Sequence, residues 1–366
     1  MEVKIIVLIK IINLLNFILP KNNQRVSIIS FPDFDDQTRG ILNYLDTKEV
    51  VILVSRDHKY RPYWLGKNVC IKKKNSFLGI WKLLTSSGIF FTHGIFYGFK
   101  KISFNRQKII NMWHGMPLKK MGLLDNESIM PDSHYIYSTS KFFQKIMADV
   151  FGKKEDDILI SGLPRNEILT KAILNPVLLS LQKRYDNICV WLPTYRKSNT
   201  AEAREDGDSV SIFCFKNFNA NKLNDILVSQ NTLVIIKPHP MAIIEQEKTS
   251  YSNIMTINED WLLENELSLY ELLGASNMLW TDFSSVFVDY LLKNNPILFL
   301  MPDLDSYTNN RGLSFDLSEI KLPGKVILTQ EDFFNSIKSI NSIEPCAAQN
   351  QIFFNSESSF YDENLI

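Results

Sequence analysis

The chain has 366 residues, 45% hydrophobic and 22% charged, proportions that suit a folded protein and exclude a disordered tether, a fibrous or a collagen-like chain. Lys plus Arg and Asp plus Glu both number 40, for a formal net charge of zero, which removes the general electrostatic case for a nucleic-acid binder. The charge is unevenly spread, however. Residues 1–130 carry 20 basic and 9 acidic side chains, and residues 131–366 carry 20 and 31. The first third is therefore expected to face something anionic, such as a phospholipid surface or a polyphosphate acceptor.

From Val3 to Leu19 the residues are mostly apolar, but Glu2, Lys10, Asn13 and Asn16 share one third of a helical wheel. Pro20 ends the run before the roughly 20 apolar residues that a spanning helix wants, and no small-residue cleavage site follows. An interfacial helix at an anionic membrane is expected over residues 1–20, with a core-buried first helix and a spanning anchor as the alternatives. After it, a strand (Arg25 to Ser30), the turn Phe31-Pro32-Asp33, a helix (Asp36 to Leu45) and a strand (Glu49 to Val54) read as a βαβ start. Apolar runs at Gly88 to Thr92, Lys108 to Trp113 and Tyr135 to Tyr137 then alternate with helical stretches at Ser76 to Thr85 and Ser140 to Phe151. That alternation is the pattern of a parallel sheet wound with helices, closing near residue 175. A second alternation has strands at Asn187 to Leu192, Leu233 to Lys237, Asn277 to Thr281 and Pro296 to Leu300. Its helices fall at Leu223 to Ser229, Ser268 to Ala275 and Val286 to Lys293, with a polar loop at Asn199 to Asp208. The expected fold is α/β, two Rossmann-like doubly wound domains facing a cleft. Residues 21–175 are expected to form the first domain, 176–345 the second, and 346–366 a tail.

Four cysteines (Cys70, Cys189, Cys214, Cys346) show no CxxC and no regular spacing, so neither a zinc site nor a disulfide framework is signalled, and a cytoplasmic setting fits. Neither half carries GxGxxG or GxxxxGK[ST], which removes the usual signatures of dinucleotide oxidoreduction and P-loop hydrolysis. Ligand chemistry is then expected at the carboxyl ends of the strands. Three motifs lie there. In the segment Trp113 to Lys120, His114 can take a proton from a hydroxyl, Gly115 permits close backbone approach, and Lys119 and Lys120 supply charge for phosphate. In Lys237-Pro238-His239-Pro240, two prolines fix the backbone around His239, and Lys237 and His239 would complement a pyrophosphate. In the segment Thr281 to Tyr290, Ser284 and Ser285 open a helix, and Asp289 shares a face with Ser285, one turn away, where a carboxylate suits a ribose diol. Arg165, Arg196 (after Thr194) and Arg311 each sit in a loop. Three Asp-x-Asp triplets, at Asp33, Asp206 and Asp303, are too common in loops to argue for a metal, so no metal and no cofactor is expected.

The order WHGMPLKK, SGLPRNE, LPTYR, KPHP, TDFSSVFVDY and RG resembles the CDP-glycerol glycerophosphotransferase family, which makes teichoic acids and some capsule polymers. The resemblance runs from about residue 26 to 320 and implies a glycosyltransferase-B architecture with the CDP-polyol donor in the second domain. It implies His114 as the base and His239 as its catalytic partner. Arg165, Thr194, Arg196, Lys237, Ser284, Ser285, Asp289 and Arg311 are then expected around the donor, CDP-glycerol or CDP-ribitol. Gly115, Lys119 and Lys120 are expected toward a lipid-linked or polymer acceptor. Met116 stands where the family more often has a small Thr, and the chain's length leaves single addition open beside polymerisation. Competing readings are a sugar-nucleotide glycosyltransferase or epimerase of the same architecture and a non-catalytic membrane-associated binding protein.

Overall fold

The computed structural model describes residues 2–58, 61–66, 69–95, 106–125, 130–194, 213–239, 250–345 and 352–354. Its strands are β1 (Asn22–Ile29), β2 (Glu49–Val54), β3 (Cys70–Lys73), β4 (Ser86–Phe91), β5 (Lys108–Asn111), β6 (Tyr135–Ser138) and β7 (Ile158–Ile160) in one sheet. The second sheet holds β8 (Asn187–Leu192), β9 (Thr232–Ile236), β10 (Ile254–Thr256), β11 (Met278–Thr281), β12 (Ile297–Leu300) and β13 (Lys325–Ile327). The helices are α1 (Glu2–Ile18), α2 (Asp36–Leu42), α3 (Phe77–Thr85), α4 (Lys141–Phe151), α5 (Asn166–Thr170) and α6 (Pro176–Arg184), then α7 (Ala220–Ser229), α8 (Glu259–Glu264), α9 (Leu269–Ala275), α10 (Val286–Tyr290), α11 (Leu304–Arg311) and α12 (Gln330–Lys338).

The strand orders are β3-β2-β1-β4-β5-β6-β7 and β10-β9-β8-β11-β12-β13, and every pairing is parallel. Both are doubly wound sheets, as the alternation of elements implies. Central strands such as β8 and β9 are almost wholly buried, because helices on both faces demand an apolar run rather than an alternating one.

The chain divides into two compact units. The first holds residues up to Met116 together with Met121–Glu167, and the second holds Pro117–Lys120 and Ile168–Phe354. The first is packed around Ile29, Val51, Leu53, Leu83, Ile89 and Phe91, with Ile12 of α1 joining that core. The second is packed around Trp191, Trp280, Phe213, Phe215, Leu223 and Phe333. Most of the tail 346–366 lies outside the described residues, but Phe353 is buried against Phe287 with ring centroids 5.4 Å apart.

Helix α2 approaches the loop after β7 very closely. A Cβ on Gly40 would lie 2.1 Å from the Pro164 carbonyl oxygen, so only glycine permits this contact. The contact sets the distance between two loops that carry site residues.

Candidate functional site

The first constellation is the loop after β5. Asn111 Oδ1 accepts the Trp113 N–H at 2.9 Å, and Trp113 takes a left-handed φ of 52°, which turns the chain so that His114 follows a tight corner. The buried Gln37 of α2 holds the corner from the other side. Its Nε2 donates to the Trp113 carbonyl at 3.0 Å, and its Oε1 accepts the Arg165 N–H at 3.2 Å. Arg165 in turn donates from Nη1 to the His114 carbonyl at 3.0 Å. Gly115 continues with φ 142°.

The His114 imidazole stacks on that of His93, with centroids 4.2 Å apart and planes 13° apart, and lies 4.1 Å from the Trp113 ring. His93 is braced edge-on by Phe31 at 5.4 Å. Although His114 retains exposed surface, desolvation by these neighbours holds its basicity well below the ordinary imidazole range. The charges of His93 and Arg165 push the same way, and a backbone hydrogen bond with Thr92 opposes them. His93 is likewise lowered, to about 4, by burial. At neutral pH both rings are uncharged, which is the state a proton acceptor requires.

The second constellation belongs to the second unit and contains residues that the sequence reading assigned elsewhere. The segment Pro117–Lys120 lies along the stretch after α11. Lys119 bridges Leu313 in antiparallel fashion, Lys120 N donates to the Gly312 carbonyl at 3.2 Å, and Ser314 N donates to the Leu118 carbonyl at 2.9 Å. Ser314 Oγ also donates to the Pro117 carbonyl. Gly312, with φ 75° and Lys120 Cδ 2.9 Å from where a Cβ would sit, is required there. Lys119 Nζ lies 5.5 Å over the Tyr307 ring, and Tyr307 stacks on Phe283 at 3.7 Å. Although His239 keeps exposed surface, desolvation of its ring lowers it to about 4, and the charges of Lys119 and Lys237 push the same way. Lys119 thus lies with the His239 and Phe283 segments, and Lys120 lies along the stretch that follows Arg311, because backbone pairing fixes 117–120 to the second unit.

Other assignments are revised by the geometry. Arg165, expected at the donor, lies in the first unit against the His114 carbonyl. Lys237 is buried and ion-paired to Glu259 Oε1 at 2.6 Å, so its charge is already matched. Asp289, expected to face a ribose diol, is fully buried and accepts the Tyr270 hydroxyl at 2.6 Å; the helix face it shares with Ser285 turns inward there. Thr194 donates its N–H and Oγ–H to the buried Asp282, at 3.0 and 2.9 Å. Asp282 is thus the internal anchor of that loop, a role that its place inside a recognised motif concealed. Ser284 and Ser285 are half-buried, and Ser285 makes no side-chain cap to α10. Arg196, the loop Asn199 to Asp208 and the Asp206 triplet lie outside the described residues. Asp33 and Asp35 serve structure, Asp35 capping α2 by accepting from Thr38 N at 2.8 Å. Among the described residues no group of three or more His, Cys, Asp or Glu is placed to hold a metal ion.

The Asp289 finding changes an expected result. Asp289→Ala removes a hydrogen bond to a buried carboxylate and strands the Tyr270 hydroxyl, so it should destabilise the fold by about 1–3 kcal/mol while CMP still competes for the donor site as in wild type. Denaturant unfolding beside a CMP competition assay separates the two, and a selective loss of CMP affinity would restore the ribose role.

Comparison with known proteins identifies the family. The chain is 24% identical over 353 residues to the teichoic acid poly(glycerol phosphate) polymerase of Bacillus spizizenii, covering 87% of this chain and 84% of that one. It is 23% identical over 350 residues to the teichoic acid ribitol-phosphate primase of the same organism, covering 89% and 85%. Among solved structures, a variant of the wall teichoic acid polymerase TagF soaked with CDPG superposes with a TM-score of 0.71 at 19% identity, over 98% of this chain and 92% of that one. The family model of CDP-glycerol:poly(glycerophosphate) glycerophosphotransferase matches residues 11–364, nearly the whole length, so the chain belongs to that family and is a glycerophosphotransferase.

Proposed function

We propose that this enzyme moves glycerol phosphate from CDP-glycerol to a hydroxyl of a lipid-linked or polymer acceptor, releasing CMP, in the synthesis of teichoic acid or a related capsule polymer. An imidazole nitrogen of His114 takes the acceptor hydroxyl's proton as its oxygen bonds the β-phosphorus. The bond from that phosphorus to the CMP phosphate oxygen breaks, and CMP leaves. Little covalent work falls to the protein in phosphoryl transfer, so positioning and charge dominate. Lys119, His239, Ser284 and Ser285 are suited to steady the diphosphate. The observation that carries the reading is the His114 ring, stacked on His93 and in contact with Trp113, on a loop locked by Gln37 and Arg165. The ribitol-phosphate primase among the relatives motivates CDP-ribitol as the second donor. CMP release from purified protein offered CDP-glycerol and CDP-ribitol in parallel, with a lipid-linked acceptor, tests both. Release of free UDP from a sugar nucleotide instead would overturn the proposal.

The proposed site of action is the cytoplasmic face of the membrane, with peripheral attachment. Ile12 and Asn16 of α1 are buried, and Lys21 Nζ donates to the Asn16 carbonyl, Asn16 Oδ1 and the Leu84 carbonyl at 2.7, 2.6 and 2.6 Å. Asn16 therefore leaves the outward polar stripe expected from the sequence. Val7, Ile11, Leu14, Phe17 and Ile18 remain exposed, as do Phe77, Leu78 and Trp81 of α3, Phe77 at 81%. Among the described residues no helix is long and apolar enough to cross a membrane. An apolar face with the exposed Lys10 on α1 and with Lys74 just ahead of α3 suits reversible binding to anionic lipid. Phe17→Glu with Phe77→Glu should weaken sedimentation with anionic vesicles by about 10²- to 10⁴-fold, at about 1.5–3 kcal/mol for each large apolar side chain withdrawn. Turnover of a short soluble acceptor should persist. Unchanged sedimentation would show that this face does not meet lipid.

A further inference from the structure

A cavity of about 350 Å³ opens in the first unit at the carboxyl ends of β2 and β3, the edge at which parallel sheets receive ligands. Its lining includes Arg56, Arg61, Lys72 and Lys73 against a single carboxylate, Asp57. Two of these cations are committed. Arg61 Nη2 donates to the carbonyls of Gly66 and Val69, the second at 3.2 Å, and Lys73 pairs with Asp57 at 2.5 Å. Among the described residues, the Arg56 guanidinium and the Lys72 ammonium have neither a hydrogen bond nor an ion pair.

The walls of the cavity are fixed in advance. Asp33, its side chain 3% exposed, accepts the N–H groups of Ser55 and Arg56 at 2.9 and 3.3 Å and bonds His58 Nε2 at 2.8 Å. These bonds tie the loop after β2 to the loop after β1. The next residue, Phe34, is held in a left-handed backbone with φ 62°, and its ring meets His58 edge-on at 4.9 Å. Strain of that kind persists only where the surroundings enforce it. The result is a preformed, ligand-sized pocket with two unmatched positive charges, the chemistry that recognises a phosphate ester.

The position of the pocket narrows the ligand. β2 lies three strands from β5 in the same sheet, which places the cavity roughly 14 Å across the sheet from the loop that carries His114. We infer that this cavity binds a phosphodiester of the acceptor chain, behind the hydroxyl that His114 deprotonates. The inference rests on the proposed transfer reaction and adds an acceptor subsite to it.

The test uses full-length protein and its Arg56→Ala, Lys72→Ala and double variants. Each is titrated by calorimetry with a soluble oligo(glycerol phosphate), and separately with glycerol 3-phosphate and with anionic vesicles. Losing one hydrogen bond to a charged group should weaken the oligomer about tenfold or more in each single variant, and Arg56→Lys should recover part of it. Weakening of the oligomer but not of glycerol 3-phosphate assigns the pocket to a repeat within the chain, whereas equal weakening of both assigns it to a terminal phosphate. In transfer assays the acceptor KM should rise by the same factor, with kcat and the CDP-glycerol KM unchanged. Unchanged oligomer affinity in the double variant would overturn the inference, and so would a loss of vesicle binding with oligomer affinity intact, which would mark a lipid contact. A protein that binds the oligomer through Arg56 and Lys72 but never consumes CDP-glycerol would refute the transfer reaction and leave the subsite standing.

Discussion

Replacing His114 with alanine is expected to slow transfer by about 10²- to 10⁴-fold, the usual consequence of losing a general base, while CDP-glycerol still binds. The ring is supported by stacking on His93 and contact with Trp113, and the loop beneath it is held by Gln37 and Arg165 through backbone atoms. Deleting the imidazole leaves those backbone bonds in place, so the cost to stability should stay near the roughly 0.5–1.5 kcal/mol of an aromatic pair. Single-turnover CMP release gives the rate, and calorimetry with CDP-glycerol gives the affinity. Near wild-type turnover would remove His114 from the chemistry. Loss of donor affinity would move it to binding.

The alternation of elements was legible because the central strands are continuous apolar runs: Glu49 to Val54 and Asn187 to Leu192 coincide with β2 and β8. The four strands that the sequence did not announce, β3, β7, β10 and β13, are the four sheet edges. An edge strand has one neighbour, is short, and needs no unbroken apolar run. Cys70-Ile71-Lys72-Lys73 is half-buried to exposed along its length and reads as a charged loop until a neighbour is known to pair with it. Periodicity reports burial, and where burial is partial the signal fades.

The positions of the candidate residues along the fold were legible in the sequence, but their grouping was not. Strand-end histidines identify themselves by type and position, so His114 and His239 stand where the motifs put them. Lys119 sits inside a recognised motif, yet it answers to the second unit rather than the one its place in the sequence suggests, because a strand-like pairing with Leu313 outweighs proximity along the chain; Arg165 keeps to the first unit, where it donates to the His114 carbonyl. Gln37 and His93 escaped notice altogether. A buried glutamine inside a helix and a histidine one residue past the Thr92 turn carry no motif, and only the close approach of α2 to Pro164 and the stacking of rings make them necessary. The Asp289 spacing was read correctly as one helix face, but spacing does not say whether that face looks out or in.

His239→Ala should lower kcat/KM for CDP-glycerol by about 10²- to 10³-fold, the scale of removing one preorganised donor to developing charge. Burial and the charges of Lys119 and Lys237 hold the imidazole to about 4, so at pH 7 it is a neutral N–H donor rather than a cation. His114 is displaced in the same direction. The sign of the pH dependence follows. Both rings bind protons only when pH falls through their lowered values, so kcat/KM should stay level from about pH 7.5 through 6.5, where an ordinary imidazole would already be half protonated, and decline only as pH approaches those lowered values. Stability should weaken earlier, as pH falls from about 6.5 toward those values, because the unfolded chain takes up protons there that the folded rings refuse. Lys119→Met removes one of the two charges acting on His239 and should raise that residue's titration midpoint without moving that of His114, as followed by NMR of the imidazole protons. A midpoint for His239 at the ordinary value in the wild-type protein, or one that ignores Lys119→Met, would mean that the lysine does not govern this ring, and the neutral-donor role would fall with it.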